Sequence, residues 1–327
     1  MHDVVSIGEG MLRLSPPLHG RLRRTRSLDL HVCGSQGNVA CNLARLGLRT
    51  AFISQVPDNA LGLLLRDFYS GCGVDVSHVR AIPNSRLGVN FIEFGATPRA
   101  SAAIYDRGNS AASTMAPGDF PWDEILAGTR LAYTDGILPG LSATCRETAG
   151  EFVAAAKRHK CLIGFDVNYR AHLWTPTQAA AVLSGLLIDV DILITTQGDA
   201  EAVFGCRGSG EDVARQLHER FGCQVIGVTL GEVYSVLRGS VDSIVWHAGT
   251  VYRGRAYDVD AVDRFGAGDA WGAGLMYGYL ARGDLQYAVE FANALCALDF
   301  TMPGDVAHVT VGEVEAIMNS RDYRVTR

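Results

Sequence analysis

The chain has 327 residues, of which 48% are apolar and 20% charged, and its 35 acidic and 29 basic residues give a net charge of −6. This composition excludes a disordered or collagen-like chain, and the missing basic excess argues against a nucleic-acid binder that works by counterion release. No basic segment leads into an apolar stretch at the N-terminus and no window is apolar for long enough to span a bilayer, so neither a secretory signal nor a membrane helix is expected. The eight cysteines form no C-x-x-C pair and the nine histidines no H-x-x-x-H spacing. Buried reduced thiols in a cytoplasmic protein follow, with no zinc site.

Short β-rich runs alternate with helical patterns along most of the chain. Val4 to Ile7 reads as a strand, Gln36 to Leu46 as a helix and Thr50 to Ser54 as the next strand. Asp58 is the expected cap of a helix that ends near Gly71. Leu131 to Thr134, Cys161 to Val167, Val190 to Thr195 and Val225 to Thr229 read as buried strands. Helical patterns at Ser142 to Arg158, Thr177 to Leu187 and Glu211 to Phe221 separate them, the second opening with a Thr175-Pro176-x-Gln178 capping box. Ser243 to His247 is a further strand, and two long helices start near Gly266 and Asp284. This alternation predicts a three-layer α/β/α fold with a mostly parallel central sheet.

Two stretches break the rhythm. Met11 to Val32 carries short alternating runs and a basic cluster (Arg21, Arg23, Arg24, Arg26). Leu87 to Asp106 holds two strand candidates, Val89 to Phe94 and Ala102 to Tyr105. With no helix in either, they are expected to pair as a small antiparallel lid. Residues 1–10, 34–85 and 108–327 then form the α/β domain, and 11–33 and 86–107 the lid. The final SRDYRVTR is expected to fray.

The segment richest in chemistry is Asp263-Arg264-Phe265-Gly266-Ala267-Gly268-Asp269. Glycines before a helix let successive backbone N–H groups converge on an anion at the positive end of the helix dipole. An acid in the first turn then suits phosphoryl transfer, accepting a proton from an attacking hydroxyl.

The GAGD tetrad, late in the chain and followed by small residues, resembles the signature of the ribokinase-like (PfkB) carbohydrate kinases. Gly34-Ser35-Gln36-Gly37-Asn38-Val39-Ala40 is similar to their N-terminal G-G-x-x-x-N-x-A motif, and Val56-Pro57-Asp58 with Leu61-Gly62 to another family segment. The resemblance covers about residues 3 to 318. Asp166-Val167-Asn168-Tyr169-Arg170, with Leu173-Trp174, and the Tyr105 to Ala111 run resemble the branch of 2-keto-3-deoxygluconate kinases and some fructokinases.

The resemblance implies an ATP-dependent sugar kinase. Asp269 would be its catalytic base, and Gly266, Ala267 and Gly268 its anion hole. Gly34, Asn38, Asn90, Tyr105, Arg107 and Arg170 would bind substrate. Asn168, Thr196, Thr229, Gly231 and Asn293 would border the nucleotide, and Asp199 the metal. ATP and Mg²⁺ are the implied cofactors, with room for a monovalent cation such as K⁺. The expected partners are a small sugar or sugar acid and a second copy docked through the lid, with no nucleic acid and no membrane. If Arg107 and Arg170 both face the sugar, they favour a carboxylate and hence 2-keto-3-deoxygluconate. Fructose is the alternative sugar, and a sugar- or nucleotide-binding protein with weak kinase activity the alternative class. This chain departs from the family pattern at Thr196-Gln197-Gly198-Asp199 (usually N-x-x-E), at Tyr234 (usually glycine), at Arg264-Phe265 (usually small) and at Asn90 (often tyrosine in sugar-acid kinases).

Overall fold

The computed structural model describes residues 1–319; the tail expected to fray lies outside the described residues. The strands, in chain order, are β1 (Val4–Ile7), β2 (Met11–Ser15), β3 (Asp29–Cys33), β4 (Thr50–Pro57), β5 (Val79–Ile82), β6 (Gly88–Glu93), β7 (Ala102–Asp106), β8 (Leu131–Asp135), β9 (Leu162–Asp166), β10 (Ile192–Thr196), β11 (Val225–Thr229), β12 (Val233–Ser235), β13 (Arg238–Val241), β14 (Ser243–His247), β15 (Thr250–Arg253) and β16 (Tyr257–Asp260).

Nine of them form the central sheet in the order β15-β14-β11-β10-β9-β8-β1-β4-β5. It is parallel from β5 through β11 and ends in an antiparallel hairpin, β14–β15. Its inner strands are mostly apolar and almost wholly buried because both faces are covered. Alternate residues serve opposite cores: Val5 and Ile7 pack with the helices Ala143–Arg158 and Pro176–Leu187, whereas Val4 packs with Ser35–Arg45 and Ala267–Arg282. From β1 the chain builds the sheet outward to β4 and β5, then returns to lay β8, β9, β10 and β11 on the other side. The reversal between β1 and β8 is a topological switch point, and a crevice forms there beyond the carboxyl ends of the strands.

A separate four-stranded sheet, in the order β3-β2-β6-β7, stands over that crevice. The sequence predicts an antiparallel lid. The observed sheet is mixed, because β2 and β6, far apart in the chain, pair in parallel. A 3₁₀ turn, Leu22–Arg24, interrupts its first half, fixed by Glu93, which accepts from Arg21 and from the Leu22 amide at 2.8 and 2.9 Å. A third sheet, β12-β13-β16, has no counterpart in the sequence reading. The expected Asp58 cap is also replaced: Asn59 accepts from the amides of Leu61 and Gly62, one residue later. Among the described residues, no helix is long and apolar enough to cross a membrane. All eight cysteines are buried and unbridged.

Candidate active site

Asp269 lies in the first turn of the helix Ala267–Arg282. The helix starts at Gly266, whose φ of +89° suits glycine and whose missing Cβ would otherwise lie 2.3 Å from the Asp305 carbonyl oxygen. First-turn amides have no acceptor within their helix, so those of Ala267 and Gly268 can serve an anion.

The carboxylate is gripped from a distant part of the chain. Ser35 Oγ donates to Asp269 Oδ1 and Asn38 Nδ2 to Oδ2, both at 2.7 Å. Both donors belong to the helix Ser35–Arg45, which begins after Gly34. Gly34 has φ +142° and packs so close to the segment after β1 that a Cβ would meet the Glu9 carbonyl at 2.3 Å. The two glycine-bearing motifs of the sequence therefore meet at one carboxylate. The residue keeps some exposure through the crevice, but protein surrounds its carboxyl group. Burial pushes its pKa up to about 6, opposed by the Asn38 and Ser35 hydrogen bonds and aided by nearby Asp135. That value suits a general base near neutrality.

Behind Asp269 lies a floor of acids. Asp135 ends β8, Asp166 ends β9 and Asp199 lies in the first turn after β10. Burial raises all three above the usual carboxylate range, and Asp166 is raised further by Asp135, Asp199 and Asp269. Arg170 pulls each of the four back toward ionisation. Such crowded oxygen donors fit a hard divalent cation shared with phosphates, which would relieve their repulsion. Among the described residues, no cluster of three or more His, Cys, Asp and Glu side chains forms a complete metal cage. Thr196 Oγ1 accepts from the Asp199 amide at 2.9 Å and caps its helix.

Asn168 joins this floor. Its Nδ2 donates to Ser35 Oγ and to Asp135 Oδ2, both at 2.9 Å, which links Asp135 to the partner of Asp269. Gln36 Nε2 also donates to Asp135. The sequence reading missed Ser35, Gln36, Asp135 and Asp166 as site residues. Three of them lie inside motifs it quoted, and Asp135 is marked only by an acid ending an apolar strand.

On the lid side, Arg107 is almost wholly buried. Its guanidinium pairs with Glu9, which also accepts from Ser110 Oγ. Arg107 is thus a fixed strut at the root of the lid, not a loose arm. Glu9, between two glycines after β1, was also missed. Tyr105 on β7 stacks on His172, with ring centroids 4.2 Å apart and planes 13° apart. Asn90 on β6 faces Tyr105 across the sheet. Asn38 and Asn90 each keep a buried side-chain oxygen without a hydrogen-bond partner among the described residues. Buried acceptors of this kind suit hydroxyl donors.

On the other side of the anion loop, a cleft of about 170 Å³ runs past Thr229, Gly231, Val233, Gly268, Trp271 and Phe300. Thr229 and Gly231 therefore border the same space as the anion loop. Tyr234, where the family pattern usually has glycine, lies mostly exposed on β12 and is not among the lining residues. The β12–β13 hairpin forms a flap at the cleft, held by Arg264, which donates to the carbonyls of Ser235, Val236 and Arg238 at 2.7, 2.8 and 3.0 Å. Asn293 is fully buried beneath. It accepts from Ser243 Oγ and Trp271 Nε1 and donates to the Arg255 carbonyl, and it does not line the cleft.

Residues 1–309 match the description pfkB family carbohydrate kinase. A 2-dehydro-3-deoxygalactonokinase from Haloferax volcanii is 35% identical, covering 99% of each chain. A 2-dehydro-3-deoxygluconokinase from Thermoproteus tenax is 30% identical over 93% of this chain and 90% of its own. The crystal structure of a 2-dehydro-3-deoxygluconokinase from Thermotoga maritima superposes with a TM-score of 0.94 at 33% identity, over 98% of this chain and 99% of that one. The family match over residues 1–309 and a likeness that spans nearly the whole chain show that the chain belongs to the pfkB family of carbohydrate kinases.

Proposed function

We propose that this sugar kinase transfers the γ-phosphoryl group of ATP to a hydroxyl of a 2-keto-3-deoxy sugar acid. The observation that carries the mechanism is the Asp269 carboxylate, held by Ser35 and Asn38 beside the first-turn amides of Ala267 and Gly268. Asp269 takes the proton of the attacking hydroxyl. The new O–P bond forms as the bond to the β-phosphate oxygen breaks, and ADP leaves. The amides of the anion loop receive the charge on the transferring group. Mg²⁺, approached by Asp199 and Asp166 and carried mainly by the phosphates, would neutralise charge between the β- and γ-phosphates. Thr229 and Gly231 would flank the nucleotide, and Thr196 would support Asp199.

The unpartnered oxygens of Asn38 and Asn90 support hydroxyl recognition at the lid. Arg170, near all four acids, supports recognition of substrate carboxylate or phosphate. The names of the similar proteins support the 2-keto-3-deoxy acid skeleton in either its gluco or its galacto configuration. Fructose is the second reading, favoured by one observation: Arg107 is already paired with Glu9, which weakens a two-guanidinium clamp on a carboxylate. A homodimer through the lid is supported by its open strand edges and by the exposed Leu30 and Ile104.

ADP release with Mg-ATP tests the reading on a panel of 2-keto-3-deoxygluconate, 2-keto-3-deoxygalactonate, fructose, ribose, gluconate and adenosine. A signal confined to the two keto-deoxy acids and lost in Asp269→Asn is expected. A fructose-led signal would transfer the mechanism to the second reading. No sugar-dependent ADP above the variant's background would sink both.

A further inference from the structure

Arg13 on β2 has no exposed surface, although it is an arginine on a lid strand. Its Nη1 and Nη2 donate to Asp263 Oδ1 and Oδ2 at 3.1 and 2.5 Å, and Nη1 lies 3.2 Å from Asp305 Oδ1. The guanidinium carbon is 5.0 Å from the Phe265 ring centroid and 5.7 Å from that of Phe94, a lid residue. The two rings meet edge to face at 6.0 Å. A buried guanidinium is costly unless it is paired; here both Nη groups are paired and both faces are covered by rings, while Nε has no hydrogen-bond partner among the described residues.

The residues it grips belong to the two loops that shape the anion site. Asp263 also accepts from the amides of Arg264, Phe265 and Gly304, at 2.7, 3.0 and 3.1 Å. Its carboxylate therefore folds the approach to Gly266 and ties it to the loop that contains Asp305. The Asp305 backbone is the surface against which Gly266 packs. On its other side, Arg13 lies in register opposite Asn90, the lid residue with an unpartnered buried oxygen.

We infer that Arg13 is a positioning residue for phosphoryl transfer: from the lid it clamps Asp263 and Asp305 together and so fixes the amides of Ala267 and Gly268 and the carboxylate of Asp269. It touches no reacting atom. The inference rests on the kinase reading above. It accounts for Phe265, which has no obvious use in a glycine-rich anion loop but here supplies one face of the guanidinium's pocket.

The test compares wild type, Arg13→Lys and Asp305→Asn. Lysine keeps the charge but cannot bridge two carboxylates with a planar fork, whereas Asp305→Asn leaves the Arg13–Asp263 pair in place. Steady-state kinetics, calorimetric ATP affinity and amide hydrogen exchange across residues 263–270 are measured on each. A misplaced catalytic group costs about 10²-fold. The expected result for Arg13→Lys is a kcat loss approaching that size, with the sugar KM and the ATP Kd within about threefold of wild type. A smaller kcat loss is expected for Asp305→Asn, and faster exchange across 263–270 in both. A folded Arg13→Lys protein with wild-type kcat and exchange overturns the inference, as does a kcat loss matched by an equal loss of ATP affinity. If Arg13→Lys fails to fold, Asp305→Asn decides by the same criteria. If wild type phosphorylates nothing on the panel, the kinase reading fails by itself, and exchange across 263–270 still decides whether Arg13 orders the loop.

Discussion

On the side of the helix Ser35–Arg45, Asp269 meets side chains already bonded to one another. Asn38 and Ser35 hold its oxygens and Asn168 links Ser35 to Asp135, while at the root of the lid Arg107 is locked on Glu9. On the other side of Asp269, the cleft surface is mostly apolar, with Glu232, Asp242 and Arg264 also in its lining, and the flap beside it is held by Arg264 through backbone carbonyls. A surface of fixed charges and amides selects by the placement of hydroxyls, since each buried polar group must find its partner. A cleft of backbone and apolar surface selects by shape and tolerates changes in the residues over it. Substitutions on the first side should therefore cost far more than those on the second.

The largest expected effect is that of Asp269→Asn, which keeps the shape and removes the base. General-base catalysis contributes about 10²–10⁴-fold, so a kcat loss of that order in the ADP-release assay is expected, with ATP affinity by calorimetry little changed. Arg107→Met should act on stability: removing one partner of a buried ion pair costs about 3–5 kcal/mol, read as a lower midpoint in urea unfolding. Near-native stability would mean that Glu9 finds another partner.

The next effect is a shift in pH dependence. With Asp269 raised to about 6, kcat/KM should fall as pH drops through that value, because the protonated acid cannot accept the hydroxyl proton. Asn38→Ala removes a donor that favours the ionised form, so the acid limb should move to higher pH. An unmoved limb would assign it to another group. The smallest effect is expected on the flap. Tyr234→Gly restores the family's usual residue at an exposed position and should change the KM for ATP by less than about twofold, as for most surface substitutions. A large change would show that the flap recognises the nucleotide with side chains, and the contrast between the two sides would fail.

The sequence was readable where chemistry and local pattern coincide. Gly34 to Ala40 and Gly266 to Asp269 each carry a glycine that only a tight approach explains, and the structure joins them through Ser35, Asn38 and Asp269. The buried strands of the central sheet were legible because a strand covered on both faces is mostly apolar. Partnerships between distant residues left no such trace. Nothing local to Glu9 names Arg107, and nothing near Arg13 names Asp263, some 250 residues away. The parallel pairing of β2 with β6 was equally hidden, because the stretches flanking it suggest only hairpins. The strands β12, β13 and β16 are three or four residues long, too short for a period to emerge.

The lid sheet is held differently along its strands. The inner strand β2 is rooted by a guanidinium sunk between carboxylates and the foot of β7 by the Arg107–Glu9 pair, whereas the outer part of β7 rests on the ring of His172 through Tyr105. A stacked pair is worth about 0.5–1.5 kcal/mol beyond the area it buries, which by itself would favour the shut position by only about twofold to twelvefold. Departure of product would then need to break only that one ring contact at the outer strand, and would leave the rooted strand in place for the next turnover.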